Sequence, residues 1–233
     1  MSAPANLMQA YPIWHHVCTQ TCTLCLRSGW KALALQLDRL PAFCVANADG
    51  QPLQYEREGK TTALFYADVE AAKKELESAR AMFPDLGCDL IPVGVGSVYK
   101  LACEGKASLL PNVADLTAAG APAGISAMDQ PLPLFACMEM SQESADGKPV
   151  LPLFMAWSDC AAAVKQATQA DSPDEELEIV GLSLPSVVDR LSSIKDDSPP
   201  YVFIPPSASA RYISDYLASS GGTSAAVPGA EDV

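Results

Sequence analysis

Cys18, Cys22 and Cys25 have the spacing C-x3-C-x2-C, which has a known chemistry. In radical S-adenosylmethionine enzymes three thiolates so spaced hold three irons of a four-iron cluster, and the fourth iron is left for the cofactor. The same positions, i, i+4 and i+7, also fall on one face of a helix. Tyr11, Trp14, Leu26, Gly29 and Leu33 extend that stripe. A cluster-binding loop usually follows a barrel strand, but here no six-fold strand–helix alternation follows and the glycine-rich cofactor strand is missing. The residues favour a packed helix face over an iron–sulfur enzyme. His15-His16 beside these cysteines would suit zinc, whose usual ligands are His and Cys, but a fourth ligand at sensible spacing is not evident. Cys22-Thr23-Leu24-Cys25 is a C-x-x-C that does not follow a thioredoxin-like first strand, which disfavours a redox role. Only two histidines exist in the chain, so any nucleophile–His site must use one of this pair. No G-x-S-x-G elbow and no phosphate loop occur. Gly94-Val95-Gly96 lacks the third glycine of a dinucleotide fingerprint and reads as a strand-end turn. Glu175-Glu176 and Asp196-Asp197 lie in polar stretches and read as solvated surface. No enzyme, metal or cofactor is expected.

The elements that carry these residues must come from 233 residues, enough for one ordinary domain or two small ones. Apolar residues make up 49% of them, ample for a core, and charged residues only 18%. Acidic residues outnumber basic ones 28 to 15, giving a net charge of −13. Such a chain repels polyanions, which argues against nucleic acid and anionic membrane as partners. Eight cysteines are too sparse for a disulfide-built scaffold, and most sit among apolar neighbours, as free buried thiols do. No run of about 18 consecutive apolar residues occurs, so no transmembrane helix is expected. The first 26 residues contain no charged side chain. They therefore lack the basic start of a signal peptide, and they are not an Arg-rich transit peptide either. A targeting segment is expected to be unnecessary or already removed.

Laid against itself, the chain repeats at about ninety residues. Leu40-Pro41-Ala42-Phe43 returns as Leu132-Pro133-Leu134-Phe135, and Asp49-Gly50-Gln51-Pro52-Leu53 as Asp146-Gly147-Lys148-Pro149-Val150. Leu64-Phe65-Tyr66-Ala67-Asp68 returns as Leu153-Phe154-Met155-Ala156, then Trp157-Ser158-Asp159. Leu90–Val95 matches Ile179–Leu184, and Leu109-Leu110-Pro111-Asn112 matches Phe203-Ile204-Pro205-Pro206. Each half reads as a short strand (42–46; 132–138), a turn at Asp-Gly and a second strand (61–66; 150–156) buried on both faces. Asp68 and Ser158 stand where helix N-caps are needed. The first of these helices places Val69, Ala72, Leu76, Ala79 and Phe83 on one stripe, and the second uses Cys160, Val164 and Ala167. A third strand (89–95; 178–184), a short helix and a fourth strand (108–110; 201–204) follow. A last helix is opened by Asn112 or Ser207, the second of which buries Ile213, Tyr216 and Leu217. The expected fold class is α/β (mixed α+β), two pseudo-symmetric βα halves with mixed sheets plus an N-terminal helix over roughly 8–37. The expected segments are 1–39, 40–120, 131–218 and a Gly/Ser/Ala/Pro tail, 219–233.

The matched motifs resemble the Tic twenty-two family, soluble proteins associated with the chloroplast inner-envelope import translocon, and their cyanobacterial relatives. The resemblance rests on Leu40-Pro41-Ala42-Phe43 followed by Gly50-Gln51-Pro52-Leu53, and on Leu64-Phe65-Tyr66-Ala67-Asp68. It rests further on Ile91-Pro92-Val93-Gly94-Val95-Gly96-Ser97-Val98-Tyr99 and on Gly147-Lys148-Pro149-Val150-Leu151-Pro152-Leu153-Phe154. It covers roughly residues 40 to 217, while the cysteines at 18–25 and the insert Tyr55–Lys60 depart from the pattern. The resemblance implies a plastid protein, soluble or peripheral to the membrane, with a chaperone-like or scaffolding part in protein import. No catalytic residue comes with it. A permanently bound accessory subunit of a photosynthetic or other plastid membrane complex would need the same fold. The expected partners are proteins of such an assembly, held through apolar surface. Tyr11, Trp14 and Trp30 are the expected anchors, since aromatic side chains bring large apolar area with few rotors.

Overall fold

The computed structural model describes residues 29–57, 59–143, 147, 149–171, 177–193 and 201–219. The first half runs α1 (Trp30–Leu37), β1 (Pro41–Ala46), β2 (Gln54–Arg57), β3 (Lys60–Tyr66), α2 (Val69–Met82), β4 (Asp89–Gly94), α3 (Val95–Cys103), β5 (Ala107–Leu110) and α4 (Val113–Ala118). The second runs β6 (Pro133–Cys137), β7 (Gln142–Glu143), β8 (Pro149–Phe154), α5 (Trp157–Asp171), β9 (Ile179–Ser183), α6 (Leu184–Ser192), β10 (Tyr201–Ile204) and α7 (Ser207–Ser219). From β1 onward the two lists correspond element for element.

Pairing repeats as well. In the first sheet β1 lies antiparallel between β3 and β4, β2 pairs antiparallel with β3, and β5 pairs parallel with β3. In the second, β6 lies antiparallel between β8 and β9, β7 pairs with β8, and β10 runs parallel to β8. Registers agree: Phe43 faces Tyr66 as Phe135 faces Phe154, and Pro41 faces Gly94 as Pro133 faces Ser183. The sheets are mixed, as the sequence predicts.

The strands buried throughout are β1 and β6, because each is central to its sheet. β8 is buried from Leu151 onward, but β3 is buried fully only at Phe65, since its first residues pair with the exposed ribbon β2. Alternate residues of β1 serve two cores. Ala42 and Cys44 join a central core shared with Leu134, Ala136, Leu153 and Met155 of the second sheet, while Phe43 and Val45 face outward onto α2.

Asp68 caps α2 as expected, accepting the Ala71 amide at 3.0 Å, and Val69, Ala72, Leu76 and Ala79 are buried. Phe83 is not: the helix ends at Met82, which turns this ring out of the stripe and leaves it 48% exposed. The tertiary structure also departs at α5. Its first residue is Trp157, so Ser158 lies inside the helix, and the cap comes from elsewhere: Asp115 on α4 accepts the Trp157 amide at 2.9 Å. Asp159 in turn accepts the amide and hydroxyl of Ser207, the first residue of α7, at 2.8 and 2.9 Å. Asn112 caps α4 through the Ala114 amide, as expected. These carboxylates serve helix N-termini, where unpaired amides favour negative charge.

The two terminal helices cross over. Ala119, just after α4, packs with Phe135, Phe154 and Cys160 of the second half. Ala208, Tyr212 and Ile213 of α7 pack on the outer core of the first sheet. There Tyr212 meets Phe43 edge-on at 5.5 Å, with the Lys73 ammonium 5.3 Å from its ring centre. Leu217, expected inside, is 63% exposed because α7 runs past the edge of that core. Neither half covers its own outer face completely.

Burial, with the nearby Asp68 and Asp159 charges, raises the Asp115 carboxyl above its ordinary range, against the opposing pull of the Trp157 amide. A raised carboxyl favours the protonated folded state, so this group costs stability above its folded pKa and the cost fades as pH falls through it. Asp115→Asn keeps an acceptor for Trp157. It is expected to be at least as stable as the parent at pH 7, with the gain shrinking toward pH 3. Chemical denaturation of both proteins across that range checks this, and a variant less stable at pH 7 would show the charge to be needed.

Candidate protein-binding cleft

α1 shows how one large surface of this fold is covered. Trp30, Leu33 and Leu37, at i, i+3 and i+7, are all buried in the central core, with the Trp30 ring 6.1 Å from Tyr99 of α3. The helix lies close over the start of α3. A side chain on Gly96 would come within 2.5 Å of the Ala34 carbonyl oxygen, and one on Gly94 would meet Asp38. The Asp38 carboxylate accepts the Ser97 amide at 2.8 Å, supplying an N-terminal partner to α3. At its other end α1 begins where the Gly29 amide reaches the Ser192 carbonyl of α6 at 3.3 Å. The strand-end turn expected at Gly94-Val95-Gly96 is present, and its glycines are there for this close approach.

Among the described residues the corresponding surface of the second half is open. Val95 donates to the Leu40 carbonyl at 2.9 Å, and its counterpart Leu184 donates to the Leu132 carbonyl at 2.8 Å. No helix precedes Leu132 as α1 precedes Leu40: residues 121–131 run through turns. The space left is a cleft of about 110 Å³ between Tyr99, Ala102 and Cys103 of α3, Leu109 of β5, and Leu184 and Pro185 of α6. Asp129 stands exposed at its rim. Cys103 is half-buried there, whereas Cys44, Cys88, Cys137 and Cys160 are buried. Burial pushes the Cys44 and Cys160 thiols up to about 11, which makes them poor nucleophiles.

Trp30 is the one expected anchor among the described residues, and it is a core side chain, 7% exposed. A ring that already spends its area inside the domain cannot present that area to a partner. Tyr11, Trp14, His15, His16, Cys18, Cys22 and Cys25 lie outside the described residues. Among the described residues no group of three or more His, Cys, Asp or Glu side chains could hold a metal ion. None of the described helices is long and apolar enough to cross a membrane. The cleft itself was not read from the sequence. A signal existed: Gly94 and Gly96 align with Ser183 and Pro185, so only the first half could admit a closely packed helix.

Solved structures superpose on this arrangement of strands and helices. Tic22 from Plasmodium falciparum superposes with a TM-score of 0.67 at 15% identity, over 80% of this chain and 98% of that one. Anabaena Tic22, described as a protein of protein transport, superposes with a TM-score of 0.62 at 16% identity, over 80% of this chain and 96% of that one. The fold is Tic22-like. No sequence-family profile matches the chain, and no curated protein matches it. The likeness therefore resides in the Tic22-like arrangement of strands and helices that the motif order pointed to, with identity low throughout.

Proposed function

We propose that the protein binds other proteins non-covalently, in a chaperone-like or scaffolding part of protein import across the plastid envelope, and that it catalyses no reaction. The observation that carries the reading is the Tic22-like fold spanning four-fifths of the chain, one of whose matches is described as a protein of protein transport. An apolar cleft left open where the other half is covered by a helix is consistent with a binding protein. Affinity purification of the tagged chain from plastid membranes, followed by identification of what co-purifies, tests it. Envelope translocon components or importing precursors support the reading. Stoichiometric recovery with a photosynthetic complex instead would replace it by a permanent subunit. Stoichiometric iron on anaerobically purified protein, lost on substituting Cys18, Cys22 and Cys25, would replace it by an iron–sulfur enzyme.

The charge-free segment 1–26 is proposed as a second partner contact, with Tyr11 and Trp14 as anchors, because covering it desolvates no charge. Trp14→Ala is expected to weaken partner binding by roughly 1–3 kcal/mol while the melting of the free protein changes little. Lost stability with unchanged binding per folded molecule would move the contact elsewhere.

A further inference from the structure

We infer that α7 is a latched strap: it opens as a unit about Pro205-Pro206 and bares the outer face of the first sheet while the central core stays closed. α1, α2, α3 and α6 each bury three or more apolar side chains. α7 is 13 residues long and buries no apolar side chain completely. Ala208, Tyr212 and Ile213 lie half-buried on the outer core around Phe43, and Leu217 is 63% exposed. The fully buried residue of α7 is Ser209, whose hydroxyl finds no hydrogen-bond partner among the described residues. A hydroxyl so placed has lost water without gaining a partner, which favours the opened state. α4, the corresponding helix of the first half, is held differently, with Leu116 fully buried.

The latch is supplied by another helix. α7 has no acidic residue in its own first turn, and Asp159 of α5 accepts the Ser207 amide and hydroxyl there, at 2.8 and 2.9 Å. That carboxylate meets the positive end of the helix dipole, while the last turn of α7 has no basic residue at the other end. Midway, the Tyr212 ring rests edge-on against Phe43 and near the Lys73 ammonium of α2. The start of α7 is thus held by the second half and its middle by the first. Pro205 and Pro206 form the joint between β10 and α7, and neither has an N–H to donate to the sheet. The bond from the Met155 amide to the Ile204 carbonyl, at 3.1 Å, lies before that joint. α7 can therefore swing away without breaking a strand pairing. Its departure uncovers Phe43 and Val45, whereas Ala42 and Cys44, which alternate with them along β1, stay in the central core.

Hydrogen exchange of the full chain, read by mass spectrometry at rising urea below the unfolding transition, tests this. The α7 amides are expected to exchange through one shared opening, populated roughly a hundred-fold more than the opening that frees β1 and β6, and with a weak urea dependence. Asp159→Ala removes the latch and is expected to raise the α7 opening roughly ten-fold, leaving β1 and β6 unchanged. Ser209→Ala removes the orphaned hydroxyl and is expected to slow α7 exchange. The slowing should exceed several-fold that of Ser214→Ala, which makes the same change in helix propensity at an exposed position. Exchange of α7 at the rate and urea dependence of β1 and β6 would overturn the inference. So would an Asp159→Ala effect spread equally over the chain, or a Ser209→Ala variant that exchanges no more slowly than Ser214→Ala. Should Asp159→Ala not fold, the parent and the two serine variants still decide.

Discussion

Expressed separately, residues 29–120 and 121–219 are expected not to fold, and mixed together they are expected to regain the native signal. Each half lends its last helix to the other. Without α7, the first sheet loses Tyr212 and Ile213 from the outer core built on Phe43, Val45, Leu76 and Leu90. Without α4 and the turn after it, the second loses Ala119 from its outer core, and α5 loses the Asp115 carboxylate at its first amide. The inner faces suffer more, because Ala42, Phe65, Leu134 and Leu153 belong to one central core that division would open to water. A fragment of about ninety to a hundred residues buries a smaller share of its surface than the whole chain, so it has less to set against such losses. Near-ultraviolet circular dichroism and thermal melts of the fragments, alone and mixed, check this. A cooperative melt from either fragment alone would show a half to be self-sufficient.

Trp30→Ala is expected to destabilise the free protein by about 3–5 kcal/mol, the usual cost of truncating a buried aromatic side chain. In a chain of this length that lowers the melting temperature by roughly 6–20 °C. The ring packs on Tyr99 within the core that joins α1, α3 and α6, and α1 is only eight residues long. A helix that short holds its place by its buried face rather than by propensity. Loosening it would also release Asp38 from the Ser97 amide. Calorimetry on parent and variant decides the matter. An unchanged melt together with weaker partner binding would return Trp30 to the role of a surface anchor. Trp14→Ala is expected to show the opposite division, with binding lost and stability kept.

Much of this architecture was legible in the residues. Short apolar runs led by Pro41 and Pro133, turns at Gly50 and Gly147 with φ near 76° and 75°, and caps at Asp68 and Asn112 are local signals. Their recurrence in one order exposed the repeat, and periodicity told which side of α2 is apolar. Such signals act within a few residues along the chain, which is why β1, β3, β4, β5, β6, β8, β9 and β10 were read to within about two residues, while β2 was read as an insert and the part of the expected helix 8–37 before Gly29 lies outside the described residues. Only the tertiary structure decided what covers each apolar face. An amphipathic stripe states that a surface will be buried but names no partner for it. The crossing of α4 and α7, the capping of α5 by Asp115 instead of Ser158, and the interior place of Trp30 are all contacts between segments far apart in sequence. The open cleft arises in the same way. It exists because α1 covers one pseudo-equivalent surface, while turns precede the other and Pro185 stands where Gly96 made room.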